Sequence, residues 1–329
     1  MKKIIVLCLF VLLMTTSIFA ANGVFAVLHD DEEADLEYLQ FLISKGADVN
    51  EGKSWGCPPL IYAIHYCKPE IVKTLLATPE IDVNILDDYG NNALLAELTK
   101  DTEADYEIIE LLLEKGIDVN VGKSWGYPPL IYSLKYCDEK ITYAILNTDQ
   151  VDVNILDDDG DNALLAELTK DTEANYEIIK LLLEKGIDVN VGESWGYPPL
   201  IYSLKYCDEK ITYAILNTDQ VDVNTVSKDG DGAILCELEK DGEASYEMIQ
   251  ALMAKNMNPE LGEAWGYDPL SYAKNYCSPE IFEALKSYTD NYDPNSEKKV
   301  IEIDETIWGK VRYAGKDIVL YVDGTYKIL

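Results

Sequence analysis

Positive charge is scarce in this chain: 27 lysines and arginines stand against 60 aspartates and glutamates in 329 residues, a formal charge of −33. Such a surface repels polyphosphate and anionic lipid, so nucleic acid is not an expected partner, whereas a cationic protein patch, a neutral surface or a divalent cation is accommodated. The plain alternative is that the acid only keeps a long chain soluble. Histidine is scarcer still. His29 and His65 have no ligand-spaced partners and read as ordinary surface residues. Apolar runs are missing after residue 20. The single run, Ile4 to Met14, follows Lys2 and Lys3 and leads through Thr15, Thr16 and Ser17 to small residues at Ala20 and Ala21. That is the layout of a secretory signal peptide, at 1–20. The run is shorter than the ~20 residues of a membrane span, and Cys8 lies inside it rather than at its end, against lipidation. The mature chain is therefore expected to be extracytoplasmic, periplasmic or secreted, with no membrane span after signal cleavage, and a monomer.

Six cysteines remain beyond the leader, and export would suggest a disulfide framework. Cys67, Cys137, Cys207 and Cys277 are 70 residues apart, which places them at equivalent sites two repeats apart, roughly 16–20 Å if stacked helices lie 8–10 Å from one another. A disulfide needs Cα atoms within about 7 Å. All six are read as free or partly buried small hydrophobes, with Cys207 and Cys236 the pair left open.

The same spacing of 70 carries Ser54-Trp55-Gly56, Ser124-Trp125-Gly126, Ser194-Trp195-Gly196 and Ala264-Trp265-Gly266, with Tyr62, Tyr132, Tyr202 and Tyr272. A fixed period signals stacked repeats. Within each period, Asp-Val-Asn at 48–50, 82–84, 118–120, 152–154, 188–190 and 222–224 marks two half-units of 34 and 36 residues. Each half-unit reads as a turn ending in Gly, a short apolar helix (163–168), a polar loop and a second helix from Tyr176. Ile178, Ile179, Leu182 and Leu183 give that helix one buried face. Gly186 follows as a helix-ending residue able to take positive φ.

At this point the residues resemble the ankyrin repeat family. Gly126-Tyr127-Pro128-Pro129-Leu130-Ile131 is similar to the family's first-helix start, and Glu177 to Asn190 to its second helix and closing turn. Pro128 and Ala163 replace the family's Thr and Pro, and Ile131 and Leu165 replace its His. One extra residue precedes Asp152, and about three lengthen the loop between Leu168 and Ile178. The resemblance implies a mostly α-helical ankyrin-repeat solenoid over 22–290, an N-terminal half-repeat at 31–50 followed by about seven repeats. A polar linker at 291–297 follows. Beyond it, 300–303, 308–313, 318–322 and 325–329 alternate like strands, so 298–329 is expected to be a small antiparallel β meander docking on the last repeat.

No catalytic set emerges. Gly122-Lys123-Ser124-Trp125-Gly126 satisfies the Gly-x-Ser-x-Gly pattern, but a nucleophile elbow needs a buried strand before it and a histidine base, and the fourth copy has Ala264. A phosphate loop fails on spacing, since five residues rather than four separate Gly116 from Gly122-Lys123-Ser124. Asp157-Asp158-Asp159-Gly160-Asp161 fails as an EF-hand because Ile155 would be its first ligand and Ala166 its bidentate one. No enzyme activity, cofactor or metal is expected.

The resemblance implies a groove lined by hairpin tips and the exposed side of each first helix, used to bind other proteins. It puts Ser194, Trp195, Tyr197, Lys205 and Tyr206 there, with Asp158, Asp159, Asp161, Thr169 and Lys170 from the preceding repeat. The equivalent aromatics are Trp55, Tyr66, Trp125, Tyr127, Tyr136, Trp265, Tyr267 and Tyr276. Such rings dominate binding hot spots. The competing role is packing, with Trp195 covering neighbouring hairpin backbone and Tyr202 half-buried. Recurrence cannot decide, because 84–153 and 154–223 differ at five positions only, as a recent duplication would. The expected function is a non-enzymatic protein-binding scaffold; the alternative is an acidic inhibitor or immunity-type protein that blocks a basic enzyme.

Overall fold

The computed structural model describes residues 23–29, 34–170, 172–240, 244–264 and 266–295, and three strands at 307–313, 316–321 and 326–328. The leader expected at 1–20, the acidic Asp31, Glu32 and Glu33, Trp265 and the strand expected at 300–303 lie outside the described residues.

Among the described residues the chain is mostly helical and the helices come in pairs. Two ways of starting the first helix of a pair alternate. Helices α3 (Pro59–Tyr66) and α7 (Pro129–Tyr136) begin on Pro-Pro, whose fixed φ suits the first turn and whose missing N–H would have had no intrahelical acceptor. Helices α5 (Ala93–Thr99) and α9 (Ala163–Leu168) begin on Asn92 and Asn162, both fully buried. The Asn162 amide oxygen accepts from the N–H groups of Leu164 and Leu165, and its nitrogen donates to the Asp188 carbonyl at 2.7 Å. Neither half of the amide is left unpaired, which is what makes its burial tolerable.

Second helices end in a defined way. After α6 (Tyr106–Glu114), Gly116 takes φ 77°, its N–H bonds to the Leu113 carbonyl, and the Ile117 N–H reaches the Leu112 carbonyl. This is a Schellman cap, and its left-handed position is why Gly46, Gly116 and Gly186 follow their helices and why Asn256, at φ 61°, takes the same place after the helix at 246–254. The Asp-Val-Asn triplet then stitches repeats together. The Asn84 side chain accepts from Asp118 N–H at 2.8 Å and donates to the Gly116 carbonyl at 3.2 Å. Asn50, Asn120 and Asn154 bridge to the next repeat in the same two-handed way.

The chain divides into two compact units, Met1–Trp195 and Gly196–Leu329. In the first, successive first helices pack on one another and successive second helices do likewise. A one-turn helix, α1 (Phe25–Leu28), precedes α2 (Leu36–Ser44) and packs on α3, in the position of a first helix. The half-repeat expected to start at residue 31 is thus preceded by its missing first helix. Val24, Val27 and Leu28 are buried there, and the run Val24 to Leu28 was too short to show helical periodicity.

The second unit repeats the pattern with α11 (Pro199–Tyr206) to α16 (Pro279–Asp290), α4 (Pro69–Ala77), α8 (Glu139–Leu146) and α10 (Tyr176–Glu184) being the remaining helices of the first. Strands β1 (Ile307–Tyr313), β2 (Lys316–Tyr321) and β3 (Tyr326–Ile328) pair antiparallel in the order β1-β2-β3, with a register shift between Ile307 and Gly309. None of the six cysteines beyond the leader is paired in a disulfide. Burial pushes the Cys137 thiol up to about 11 and Cys236 up to about 12, so neither is a ready thiolate. No helix among the described residues is long and apolar enough to cross a membrane.

Candidate functional site

Among the described residues, tryptophan tips alternate hairpins at Trp55, Trp125 and Trp195. Ser54 and Cys57 exchange two backbone hydrogen bonds, N–H to carbonyl, at 3.0 and 2.9 Å, and Ser124 with Tyr127 does the same. A two-residue connection of this kind is a primed turn, which needs positive φ at both central residues and favours Asn-Gly. Here the first central residue is Trp55 at φ 51° or Trp125 at φ 51°, followed by Gly56 at 81° or Gly126 at 85°; Trp195 has φ 54°. A non-glycine residue in this region carries a cost on the order of 1–3 kcal/mol.

Burial does not offset that cost. Trp55, Trp125 and Trp195 are 72%, 79% and 71% exposed. Each of the first two rests one edge on the helix behind it. Trp55 meets Tyr66 at 5.3 Å and 87°, and Trp125 meets Tyr136 at 6.4 Å and 90°. The tyrosines that recur at 62, 132, 202 and 272 are buried, so they are core residues. Those at 66, 136, 206 and 276 are exposed. Between tip and helix lie Tyr127, Tyr197 and Tyr267, half-buried, 5.8 to 5.9 Å from Tyr136, Tyr206 and Tyr276. An ammonium group caps two of them: Lys135 stands 5.3 Å over Tyr127 and Lys205 5.3 Å over Tyr197. Cys57 replaces the tyrosine in the first copy and is buried.

The intervening tips are acidic and built differently. Asp157 is buried and its carboxylate accepts from the N–H groups of Asp159 and Asp161, closing the turn from inside. Asp158 donates its N–H to the Gly126 carbonyl at 3.1 Å, and its carboxylate pairs with Lys123 at 2.8 Å. The acidic tip is thereby joined to the tryptophan tip beside it. Asp159 is exposed. Asp161 is half-buried, accepts from Glu193 N–H at 3.0 Å, and burial raises its carboxyl above the ordinary range.

Of the acidic residues expected to face a partner, Asp158 and Asp159 are exposed, and Asp161 is engaged in joining hairpins. Lys170 is also withdrawn: its side chain is 7% exposed and pairs with Glu167 at 2.7 Å and Glu139 at 3.5 Å. A charged residue next to an exposed loop reads as solvated; the partner of Asp161 lies far along the chain at Glu193, whereas that of Lys170 is Glu167, on the same face one turn back.

The residues that the sequence reading passed over are Glu97, Glu167 and Glu237, all fully buried. Each lies in the first helix of an acid-tipped repeat, and Glu167 accepts from Asn175 N–H at 2.6 Å while pairing with Lys170. Glu97 does the same with Asp105 at 2.7 Å and Lys100. Desolvation raises all three carboxyls, partly countered by the lysine and the backbone donor. The longer loop of these repeats is held closed by this clamp. A glutamate at a core position of an otherwise apolar helix was the available signal. No group of three histidines, cysteines or carboxylates that could hold a metal occurs among the described residues.

The family model described as ankyrin repeats in three copies matches residues 25–123 and 100–193. The chain is 31% identical over 99 residues to human transient receptor potential cation channel subfamily A member 1, which covers 30% of this chain and 9% of the channel. It is 30% identical over 112 residues to a putative ankyrin repeat protein of fowlpox virus, covering 34% of this chain and 72% of that one. A chain in the structure of a predatory endopeptidase from Bdellovibrio bacteriovorus in complex with an immunity protein aligns at TM-score 0.42 and 24% identity, over 55% of this chain and 91% of that chain. The first two curated relatives are much longer proteins, of which the chain spans about a tenth.

Proposed function

Because the chain belongs to the ankyrin repeat family, we propose that it is a non-enzymatic protein-binding scaffold whose tryptophan tips, with the tyrosines beside them, grip a partner protein. One observation carries this reading. A large apolar ring is held in a left-handed turn and left in solvent, where asparagine or glycine would serve folding better. Residues retained against stability are drawn from binding and active sites. Tyr66, Tyr127, Tyr136, Tyr197, Tyr206, Tyr267 and Tyr276 widen the contact, and Trp265 is assigned to it by its place in the repeat. Asp158 and Asp159 set the charge of the tips between. The leader at 1–20 would send the protein out of the cytoplasm, to act there as a monomer. The three C-terminal strands are read as a meander that follows the linker at 291–297 and docks on the last repeat.

The test is a variant with Trp55→Ala and Trp125→Ala, used as bait against the exported fraction beside the parent chain. Capture of a specific partner should be lost while the thermal midpoint is kept. Equal capture, or a large fall in midpoint, would return the rings to a packing role. A second reading, an acidic inhibitor of a basic enzyme, is favoured by the formal charge of −33. Its binding should weaken steeply as salt is raised, which a hydrophobic grip would not.

A further inference from the structure

We propose that the aromatic face of the repeat 121–153 is a binding site for cationic side chains of an extended, arginine- or lysine-bearing segment of the partner, and that Lys135 occupies this site until the segment displaces it. The inference rests on the scaffold reading and names its occupant. Lys135 lies over the Tyr127 ring at 5.3 Å, the geometry in which an ammonium is drawn to a ring face. Asp157 and Asp159 stand close enough to raise the Tyr127 hydroxyl, after burial and its bond to Tyr136, and Lys135 is near enough to Asp161 to act on its carboxyl. The Tyr127 ring and the Asp161 carboxylate therefore both act on one cation, and the protein supplies its own.

Three copies of the motif show what the lysine does. At the second unit's copy, Lys205 stands over Tyr197 at 5.3 Å but is also held by Glu239 at 3.6 Å. At the position equivalent to Glu239 the first unit has Thr169, so no carboxylate of that kind anchors Lys135. In the first copy the same two positions carry Cys57 and His65, and in the last Tyr267 and Asn275. The ammonium is thus an addition to the middle copies rather than part of the fold.

A chain with a formal charge of −33 favours a basic segment on approach. At the site, a partner arginine offers more than the lysine it replaces. Its planar guanidinium stacks on a ring and can donate two parallel hydrogen bonds to one carboxylate, and exposed Asp159 is the acceptor within the cluster. Trp125, 79% exposed, extends the surface for the residue beside it.

The experiment uses the mature chain and a fluorescein-labelled twelve-residue peptide of alternating arginine and glycine, followed by anisotropy at fixed physiological salt. Lys135→Gln should bind at least threefold more tightly than Lys68→Gln, which changes the charge equally at an exposed position away from the rings. Tyr127→Leu combined with Trp125→Leu should weaken binding at least fivefold. The proposal is overturned if Lys135→Gln binds no more tightly than Lys68→Gln, if the leucine variant binds like the parent, or if the peptide does not bind. Should the leucine variant fail to fold by circular dichroism, the two glutamine variants decide alone. A partner captured by the parent and lost in the double tryptophan variant, with the peptide results negative, would leave the scaffold standing with a non-cationic occupant. Failure of both sinks both.

Discussion

Helices α7 and α9 hold the same place in successive repeats and reach it by opposite chemistry. The positions that differ are Tyr132, Ser133 and Tyr136 in α7 and the matching Ala166, Glu167 and Lys170 in α9. The tryptophan repeat spends its volume on a buried ring and an exposed one, and needs only two residues, Cys137 and Asp138, before its second helix. The acid-tipped repeat leaves the ring out and uses the space for a carboxylate that fastens a longer loop. One kind of repeat carries an aromatic display, and the other carries a clamp. The repeat period is therefore a division of labour as well as a count.

The largest effect should come from breaking the clamp. Glu167→Ala leaves the Asn175 N–H without its acceptor and the nearly buried Lys170 ammonium with Glu139 at 3.5 Å alone, and should cost about 3–5 kcal/mol in urea unfolding; Ser133→Ala, at the matching place in α7, should cost far less. If the two losses were equal, the repeats would not differ in the way described. Glu167→Gln separates charge from geometry. Because burial raises the folded carboxyl above its unfolded value, ionisation penalises folding above the folded value, and the penalty fades as pH falls through it. The parent should gain stability relative to the glutamine variant on going from neutral pH toward the unfolded value. A difference that stays constant across that window would remove the assignment.

A smaller contrast lies between two glycines with the same backbone. Gly126 and Gly160 have φ of 85° and 88°. A Cβ on Gly126 would lie 2.9 Å from Asp158 Oδ2 and 3.0 Å from its Cβ, while one on Gly160 meets nothing within 4 Å. Gly160→Ala should lose about 1 kcal/mol for the left-handed conformation alone, and Gly126→Ala clearly more, read from paired denaturation curves. The smallest effect has the opposite sign. Trp125→Asn relieves the left-handed turn and forfeits an edge contact to Tyr136, so stability should hold or rise by roughly 1 kcal/mol. A drop of several kcal/mol would mean that the ring is part of the core.

Helix pairs and their junctions were legible because they rest on local rules. Ile178, Ile179 and Leu182 show one buried face by spacing, and Gly186 marks a cap that only a left-handed residue closes. Burial of individual rings was not legible. Tyr132 and Tyr136 recur together, yet one is core and the other surface, since the difference depends on the repeat packed alongside. Trp125 could have been placed in solvent from Ser-Trp-Gly-Tyr alone, because two positive-φ residues closing a hairpin leave the first side chain pointing away from both strands. Asp161 and the clamp at Glu167 were hidden for another reason: the backbone donors they hold, at Glu193 and Asn175, lie across a hairpin or a loop, and a backbone N–H leaves no mark in the sequence.

The asparagine bridges have a bearing on how a body this acidic tolerates its surroundings. Asn50, Asn84, Asn120 and Asn154 join repeat to repeat through amides that neither titrate nor attract counter-ions. These amide couplings are thus insulated from salt and acid, while the charged contacts between tips, Lys123 with Asp158 among them, respond to both. Ionic strength can tune what the surface attracts while the amide joints of the stack hold.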